Sequence, residues 1–447
     1  MKAAENKMGV WSVNKLLVTM AFPMICSMLV QALYNVIDSI YVSKISEEAL
    51  TAVSLVFPIQ NFMTAVGSGI GVGMNAVLSH ALGEKNYTEA NESAWCGMKL
   101  ALAETFVFVL FGIFFSYPYF SIQTTDTQIR NLGISYNKIC CCLSIGAFMQ
   151  MYVEKLLQST GKTFYSMLIQ GTGAVINIIL DPIFIFGYLG FSPMGVKGAA
   201  LATVIGQFIA SILGFYFHYT KNYEVKIQKE KSYQKSNILK KILKVGIPSV
   251  IMQSLASIMV YGVNLILMNF ISVATAVFGV YYKLQSFAFM PAFGLSNAMI
   301  PIIAYNYGAK KKERIKETLR LSMLYITGIM IVSTIIFQFF PRQLMSLFHA
   351  SDEMKKIGYV ALRILSCNFI FAGISVVLSS LFQAVGKSIY SMWISVFRQL
   401  VFLLPIAFLL SLSGELTQVW WSYPIAAVGS AIVSVIYLRK LNLTICL

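Results

Sequence analysis

A chain of 447 residues that is 57% hydrophobic and 12% charged, with a mean hydropathy of +0.72, is too apolar to fold as one or two soluble domains. Its net charge of +16 raises nucleic acid as a partner, but the basic residues come with no aromatic stacking platform or recognition motif, so no nucleic acid is expected. The seven cysteines, three of them consecutive at Cys140, Cys141 and Cys142, form neither a CxxC nor a cysteine–histidine spacing, which argues against a disulfide framework or a zinc site.

The sequence predicts an all-α integral membrane protein with twelve transmembrane helices. Apolar stretches of bilayer-spanning length recur at roughly 16–42, 50–78, 96–119, 133–158, 165–189, 196–219, 246–270, 273–305, 318–340, 357–383, 390–412 and 417–438. "TTDTQIRN" and "HASDEMKK" mark two of the clearer breaks. The opening "MKAAENKMGVWSVNK" precedes a span too long for a signal-peptide core, so the first span is expected to remain in the mature protein. Lys and Arg alternate in density from loop to loop. With the even-numbered loops and both termini on one side, that side carries 24 against 8 opposite, which predicts cytoplasmic termini in a multi-pass protein of the cell membrane. The dense clusters at 221–244 and 310–320 read as topology signals and contacts to anionic lipid.

The first span carries Gln31, Asn35 and Asp38 at i, i+4 and i+7 with Tyr34 beside them, one polar face on an apolar helix. Pro23 lies earlier in the same span and predicts a kink that can serve as a hinge. The second span contains Gln60, then Gly67, Gly69, Gly71, Gly73 and Asn75, a spacing suited to close helix contact. Glu104 and Glu154 also lie in apolar runs, Glu154 beside Lys155 near a span end, and a structural role is expected for both. "STGKT" at 159–163 lacks the first glycine of a nucleotide-binding loop and reads as a tight turn. On the fifth span Gln170, Asn177 and Asp181 form a second polar stripe. Lys283 and Arg398 have no evident acidic partner in their half and are expected to be structural or lipid-facing. His80, His218 and His349 sit near helix ends and are expected to be uninvolved.

The chain is written twice. A shift of 225 residues brings Pro23 onto Pro248, Gln60-x-Phe62 onto Gln285-x-Phe287 and Gly83-x-Lys85 onto Gly308-x-Lys310, and lays "LLQSTGKTFYSM" (156–167) on "LFQAVGKSIYSM" (381–392). After a two-residue deletion Pro182 meets Pro405 and Gly206 meets Gly429. Two six-helix bundles in parallel repeat follow, expected at 1–219 and 246–447 with a basic cytoplasmic linker at 220–245, and such repeats are a transporter architecture. The copies differ where polarity is concerned. Asp38 falls on Val263, Asn177 on Leu400 and Asp181 on Leu404. A charged Asp at mid-membrane costs about 2.5–3.5 kcal/mol by insertion scales, so such residues turn inward and mark ion or proton pathways. Buried negative charge is therefore expected in the N-terminal half alone.

"FPMICSMLVQALYNVIDSIYVS", "NIILDPIFIFG…GVKGAALAT", "MPAFGLSNAMIPIIAYNYGAKK" and "LFQAVGKSIYSM" resemble the multidrug and toxic compound extrusion (MATE) family over nearly the whole chain, and within it the DinF-like branch that includes MepA-like pumps. The resemblance implies a non-enzymatic secondary transporter that exports organic, often cationic, compounds in exchange for H⁺ or Na⁺ by alternating access. It implies an acidic coupling site in the N-terminal bundle at Asp38, Asn177, Asp181 and Thr203, and no cofactor beyond the coupling ion. The C-lobe acids of the NorM-like branch are missing here. Gln31, Tyr34, Asn35, Pro23, Gln60, Gln253 and Asn264 are the expected substrate or gating residues; small organic compounds and membrane lipids are the expected partners, with a monomer as the working unit. The alternative is a flippase for a lipid-linked saccharide or peptidoglycan precursor. A channel would not need the asymmetric acidic site, and a prenyltransferase would need a DxxxD cluster, which is missing.

Overall fold

The computed structural model describes residues 6–229, 235–348 and 351–445; His349 and the 230–234 part of the basic linker lie outside the described residues. Among these residues the chain is built from helices. Ten are long and apolar enough to cross a membrane, and two bent pairs bring the number to twelve when each pair counts as one span. The pairs are Thr127–Cys142 with Ile145–Ser159, bent by 47°, and Asp352–Ser366 with Phe369–Ala384, bent by 45°. These are the fourth and tenth spans, equivalent positions in the repeat. The expected breaks before them are N-caps: Asp126 accepts from Gln128 N at 2.7 Å and Ile129 N at 3.0 Å, and Ser351 accepts from Met354 N at 3.3 Å.

The duplication extends to backbone conformation. Lys85 and Lys310 both take left-handed φ values, 58° and 56°, after equivalent helix ends, and Gly161 and Gly386 take 80° and 74° in the two copies of the GK turn. A residue without Cβ adopts that conformation freely, which is why the STGKT segment is a turn and why its partner has the same Gly.

The helices form two compact units. Among the described residues, one contains Cys26–Gly246 with Asn6 and Lys7, the other Met8–Ile25 with the chain from Ile247 onward. This division departs from the boundaries read from sequence at two places. Residues 8–25 pack with the second unit, and the last part of the expected linker is helix, the beginning of Lys235–Leu267, up to Gly246 packed with the first unit. Both divisions fall inside a helix and beside equivalent prolines, Pro23 and Pro248. Proline removes one backbone hydrogen bond there and makes each helix locally weak. The attachment of residues 8–25 has a specific cause: Arg314 donates to Met8 O at 3.0 Å and Trp11 O at 2.7 Å, Lys311 donates to Gly9 O at 2.9 Å, and Asn306 donates to Met8 O at 3.2 Å. Two members of the 310–320 basic cluster are thus structural tethers as well as charge.

In the first unit, the second span (Glu47–Gly83) makes the close contact its glycines predict. A Cβ on Gly67 would lie 2.6 Å from Met151 Sδ, on Gly71 2.7 Å from Lys155 Cγ, and on Gly73 2.4 Å from Ile242 O. The fifth span (Thr163–Phe186) and sixth span (Val196–Lys221) approach as closely, since a Cβ on Gly206 would lie 2.7 Å from Gly173 O. That approach sets up the site described next.

Candidate functional site

Three elements of the first unit converge on one polar cluster: the last turns of the first span (Val13–Ser43), the fifth span and the sixth span. Asp181 is fully buried, Asn177 is 2% exposed and Thr203 5%. Asn177 and Asp181 stand one helical turn apart, and Gly206 lets both the backbone and the side chain of Thr203 on the neighbouring helix reach the Asn177 side chain. With its amide oriented to satisfy both neighbours, Asn177 donates to Asp181 Oδ2 at 3.1 Å and accepts from Thr203 N at 3.1 Å and Thr203 Oγ1 at 3.2 Å. Pro182, directly after Asp181, has no N–H for the carbonyl of Ile178, so the helix is loosened beside the carboxylate.

From the first span, the Asp38 carboxyl comes within hydrogen-bonding range of Asp181, and the Tyr34 hydroxyl within that of Thr203. Asp38 Oδ1 is buried and has no hydrogen-bond partner among the described residues. Two carboxyl groups face to face are held together by a proton or a cation between them and repel one another without it. Gln31, two turns before Asp38, accepts from Gln170 of the fifth span, so the two stripes pair along their length. Gln60 of the second span donates to Tyr136 Oη at 3.4 Å and Cys140 Sγ at 3.8 Å, and both Tyr136 and Cys140 lie within electrostatic reach of Asp38.

One turn beyond the site the surroundings become apolar. Val42, Ile185, Val56, Ala199 and Ala200, each about a turn from Asp38, Asp181, Gln60 or Thr203, belong to one buried cluster with Ala49, Phe120, Val196, Tyr136 and Cys140. This cluster seals the polar group on the side of the Lys44–Ser46 loop.

The residues read from sequence therefore divide. Gln31, Tyr34, Asp38, Asn177, Asp181 and Thr203 come together, with Gln60 at their edge. Asn35 is exposed, and its backbone oxygen accepts from Ser39 Oγ at 2.8 Å. Pro23, Gln253 and Asn264 belong to the second unit, where Gln253 donates to Ser249 O one turn back at 3.4 Å. Glu104 lines a small cavity with Gly67, Gly71, Phe148 and Tyr152, its Oε1 unpartnered, while Glu154 accepts from Gln150 at 2.9 Å. Tyr136 and Cys140 were not legible as site residues, because a tyrosine and a cysteine in an apolar run look like ordinary core.

The equivalent place in the second unit is apolar. Val263 is buried, and a Cβ on its neighbour Gly262 would lie 2.7 Å from Leu404 Cδ2. The hydrocarbon of Leu404 thus fills the space that Asp181 holds in the first unit.

Comparison with known proteins agrees with this duplicated architecture. The MatE family model matches residues 23–183 and 248–409, two segments that begin 225 residues apart, the offset of the internal repeat. Over 437 residues the chain is 25% identical to "Multidrug export protein MepA" of Staphylococcus haemolyticus (strain JCSC1435) and 24% identical to MepA of Staphylococcus aureus (strain MRSA252), in each case covering 97% of this chain and 95% of the relative. Among solved structures, an outward-facing multidrug resistance MATE family transporter of the MOP superfamily superimposes with a TM-score of 0.92 at 25% identity, covering 100% of this chain and 99% of that one. A MATE structure in the bent conformation gives 0.89 at 25% identity, covering 97% and 96%. The chain belongs to the MATE family of multidrug and toxic compound extrusion proteins.

Proposed function

We propose that this protein is a secondary active exporter of small organic compounds, cations prominent among them, driven across the cell membrane by exchange for H⁺ or Na⁺. The observation that carries the reading is the Asp38–Asp181 pair, half-buried Asp38 set against Asp181, Asn177 and Thr203 in the interior of one unit, and replaced by Val263 and Leu404 in the other. Fold stability asks for no such pair, since the second copy does without it. The names of the MepA relatives support multidrug export as the activity.

The ligand atoms on offer are oxygens, those of two carboxylates and two hydroxyls, with Asn177 orienting the Asp181 carboxylate by donating to it. Hard cations prefer such ligands, and a proton is served equally well. Ion uptake at Asp38 neutralises the repulsion across the pair and holds the first span against the fifth. Release frees the first span to bend at Pro23, and the apolar cluster beyond Val42 keeps water from bypassing the site. Each charge moved down the membrane potential supplies about 2.3 kcal/mol per 100 mV.

Energised cells that produce the protein should expel a lipophilic cation such as ethidium faster than cells without it, and collapse of the ion gradients should stop the difference. If ethidium efflux is unchanged, and purified protein instead moves a labelled polyprenyl-linked sugar across vesicles, the flippase reading replaces this one.

A further inference from the structure

The second unit has its acids only in loops or near helix ends, yet it places a guanidinium near the middle of a span. Arg398 lies halfway along the eleventh span, Ser388–Ser411, inside the turn of π-helix at Phe397–Leu403. Such turns interrupt regular α-helix pairing and often accompany functional sites. The sequence expectation of a lipid-facing or purely structural cation fits Lys283, which is exposed. Arg398 differs: it is half-buried and lies within electrostatic reach of Tyr281, Tyr282 and Tyr423.

These tyrosines belong to one aromatic cluster. Phe278 packs at 6.0 Å from Tyr423 and 6.4 Å from Tyr282, and Tyr281 meets Tyr423 edge-on at 5.9 Å. Their hydroxyls are only partly used. Tyr281 accepts from Asn368 Nδ2 at 3.1 Å, which leaves its own O–H available, and Tyr423 donates to Met259 Sδ at 3.3 Å. Tyr282 makes no side-chain hydrogen bond, and Arg398 makes neither a hydrogen bond nor an ion pair among the described residues. The acids of the second unit, Glu313, Glu317, Asp352, Glu353 and Glu415, stand in loops or near helix ends. Under the two repeat offsets Arg398 falls on Gly173 or Val175, so neither its charge nor its place is dictated by the shared fold.

An always-charged fork of five donors in a membrane span needs an acceptor, and arginine fits planar oxyanions better than any other side chain does. We propose that Arg398, with the hydroxyls of Tyr281 and Tyr282, forms an oxyanion site that takes the carboxylate or phosphate group of an amphiphilic substrate. The proposal rests on the exporter reading and adds to it a specificity: compounds bearing both a cationic and an anionic group are substrates, the anionic end held in the second unit.

A matched pair of dyes tests this, a rhodamine ethyl ester, which is a simple cation, and its free acid, which is zwitterionic. Binding is measured by fluorescence polarisation on purified protein in a nonionic detergent. Arg398→Gln should weaken the acid by about tenfold or more and leave the ester within about twofold, the scale of a lost charge-assisted hydrogen bond. Arg398→Lys, which keeps the charge and loses the fork, should weaken the acid less, and Tyr282→Phe gives a second route if Arg398→Gln misfolds. Competition by a short-chain anionic phospholipid in wild type and not in Arg398→Gln extends the site to lipid phosphate; lack of competition confines it to substrate carboxylates. Equal changes for both dyes, or none for either, overturn the oxyanion site. Failure of wild type to bind either dye would instead count against the exporter reading itself.

Discussion

Replacing Asp38 with Asn should abolish resistance to lipophilic cations in a pump-deficient bacterial host while leaving the protein's level in the membrane unchanged. Asparagine has the shape of the carboxylate and can donate to Asp181, so the packing of the first span on the fifth is kept. What it removes is the exchangeable charge, and with it the repulsion that ion release would restore across the pair. Drug accumulation in the variant should equal that of cells with no pump. Asp181→Asn should act in the same direction but less severely, since Asn177 still ties that position to Thr203. A well-expressed Asp38→Asn protein that confers wild-type resistance would remove the coupling role.

The second large effect is expected at a residue with no functional group. Gly206→Ala places a methyl 2.7 Å from the backbone oxygen of Gly173, and backbone cannot move aside as the end of a side chain can. The fifth and sixth spans must separate, which costs about 1–3 kcal/mol as overpacking. Asn177 lies on the same contact, its Cβ 3.5 Å from the new methyl, so the hydrogen bonds to Thr203 lengthen as the helices part. A lowered thermal midpoint and a loss of most efflux should appear together. Gly171→Ala on the same helix is the control, because a Cβ there has nothing within 4 Å, and it should lower neither. Wild-type stability and efflux in Gly206→Ala would show that this close approach does not hold the site.

Much of this was legible in the sequence because the bilayer imposes length and hydropathy on every span, and because duplication exposes what one copy has and the other lacks. The stripe of Gln31, Asn35 and Asp38 pointed to a polar face, and the contrast of Asp38 with Val263 and Asp181 with Leu404 pointed to an asymmetric site. Thr203 came only from the family resemblance; a lone threonine in an apolar span carries no signal of its own. The bends at 143–144 and 367–368 were missed because hydropathy runs through them unbroken. The placement of residues 8–25 was out of reach for another reason: Arg314 and Lys311 bind backbone carbonyls there, and a carbonyl leaves no mark in a sequence pattern. Gln253 and Asn264 lie in the second unit, as the repeat boundaries indicated, whereas Pro23, expected in the first, packs with the second.

The central claim is that one acidic site links the ion to the organic substrate, and binding linkage tests it most directly. Purified protein in weakly buffered solution is mixed with an organic cation, and ion release and affinity are measured together across pH and Na⁺ concentration. By reciprocity, a cation that competes with the ion at Asp38 and Asp181 must expel it, and its own binding must weaken as that ion is added. Wild type should release protons on binding and lose affinity as pH falls, or, if Na⁺ is the coupling ion, lose affinity as NaCl replaces choline chloride at fixed ionic strength. Asp38→Asn should bind with neither response. Tight binding of the organic cation by wild type with no ion release, and with the same affinity at every pH and Na⁺ concentration, would contradict the account.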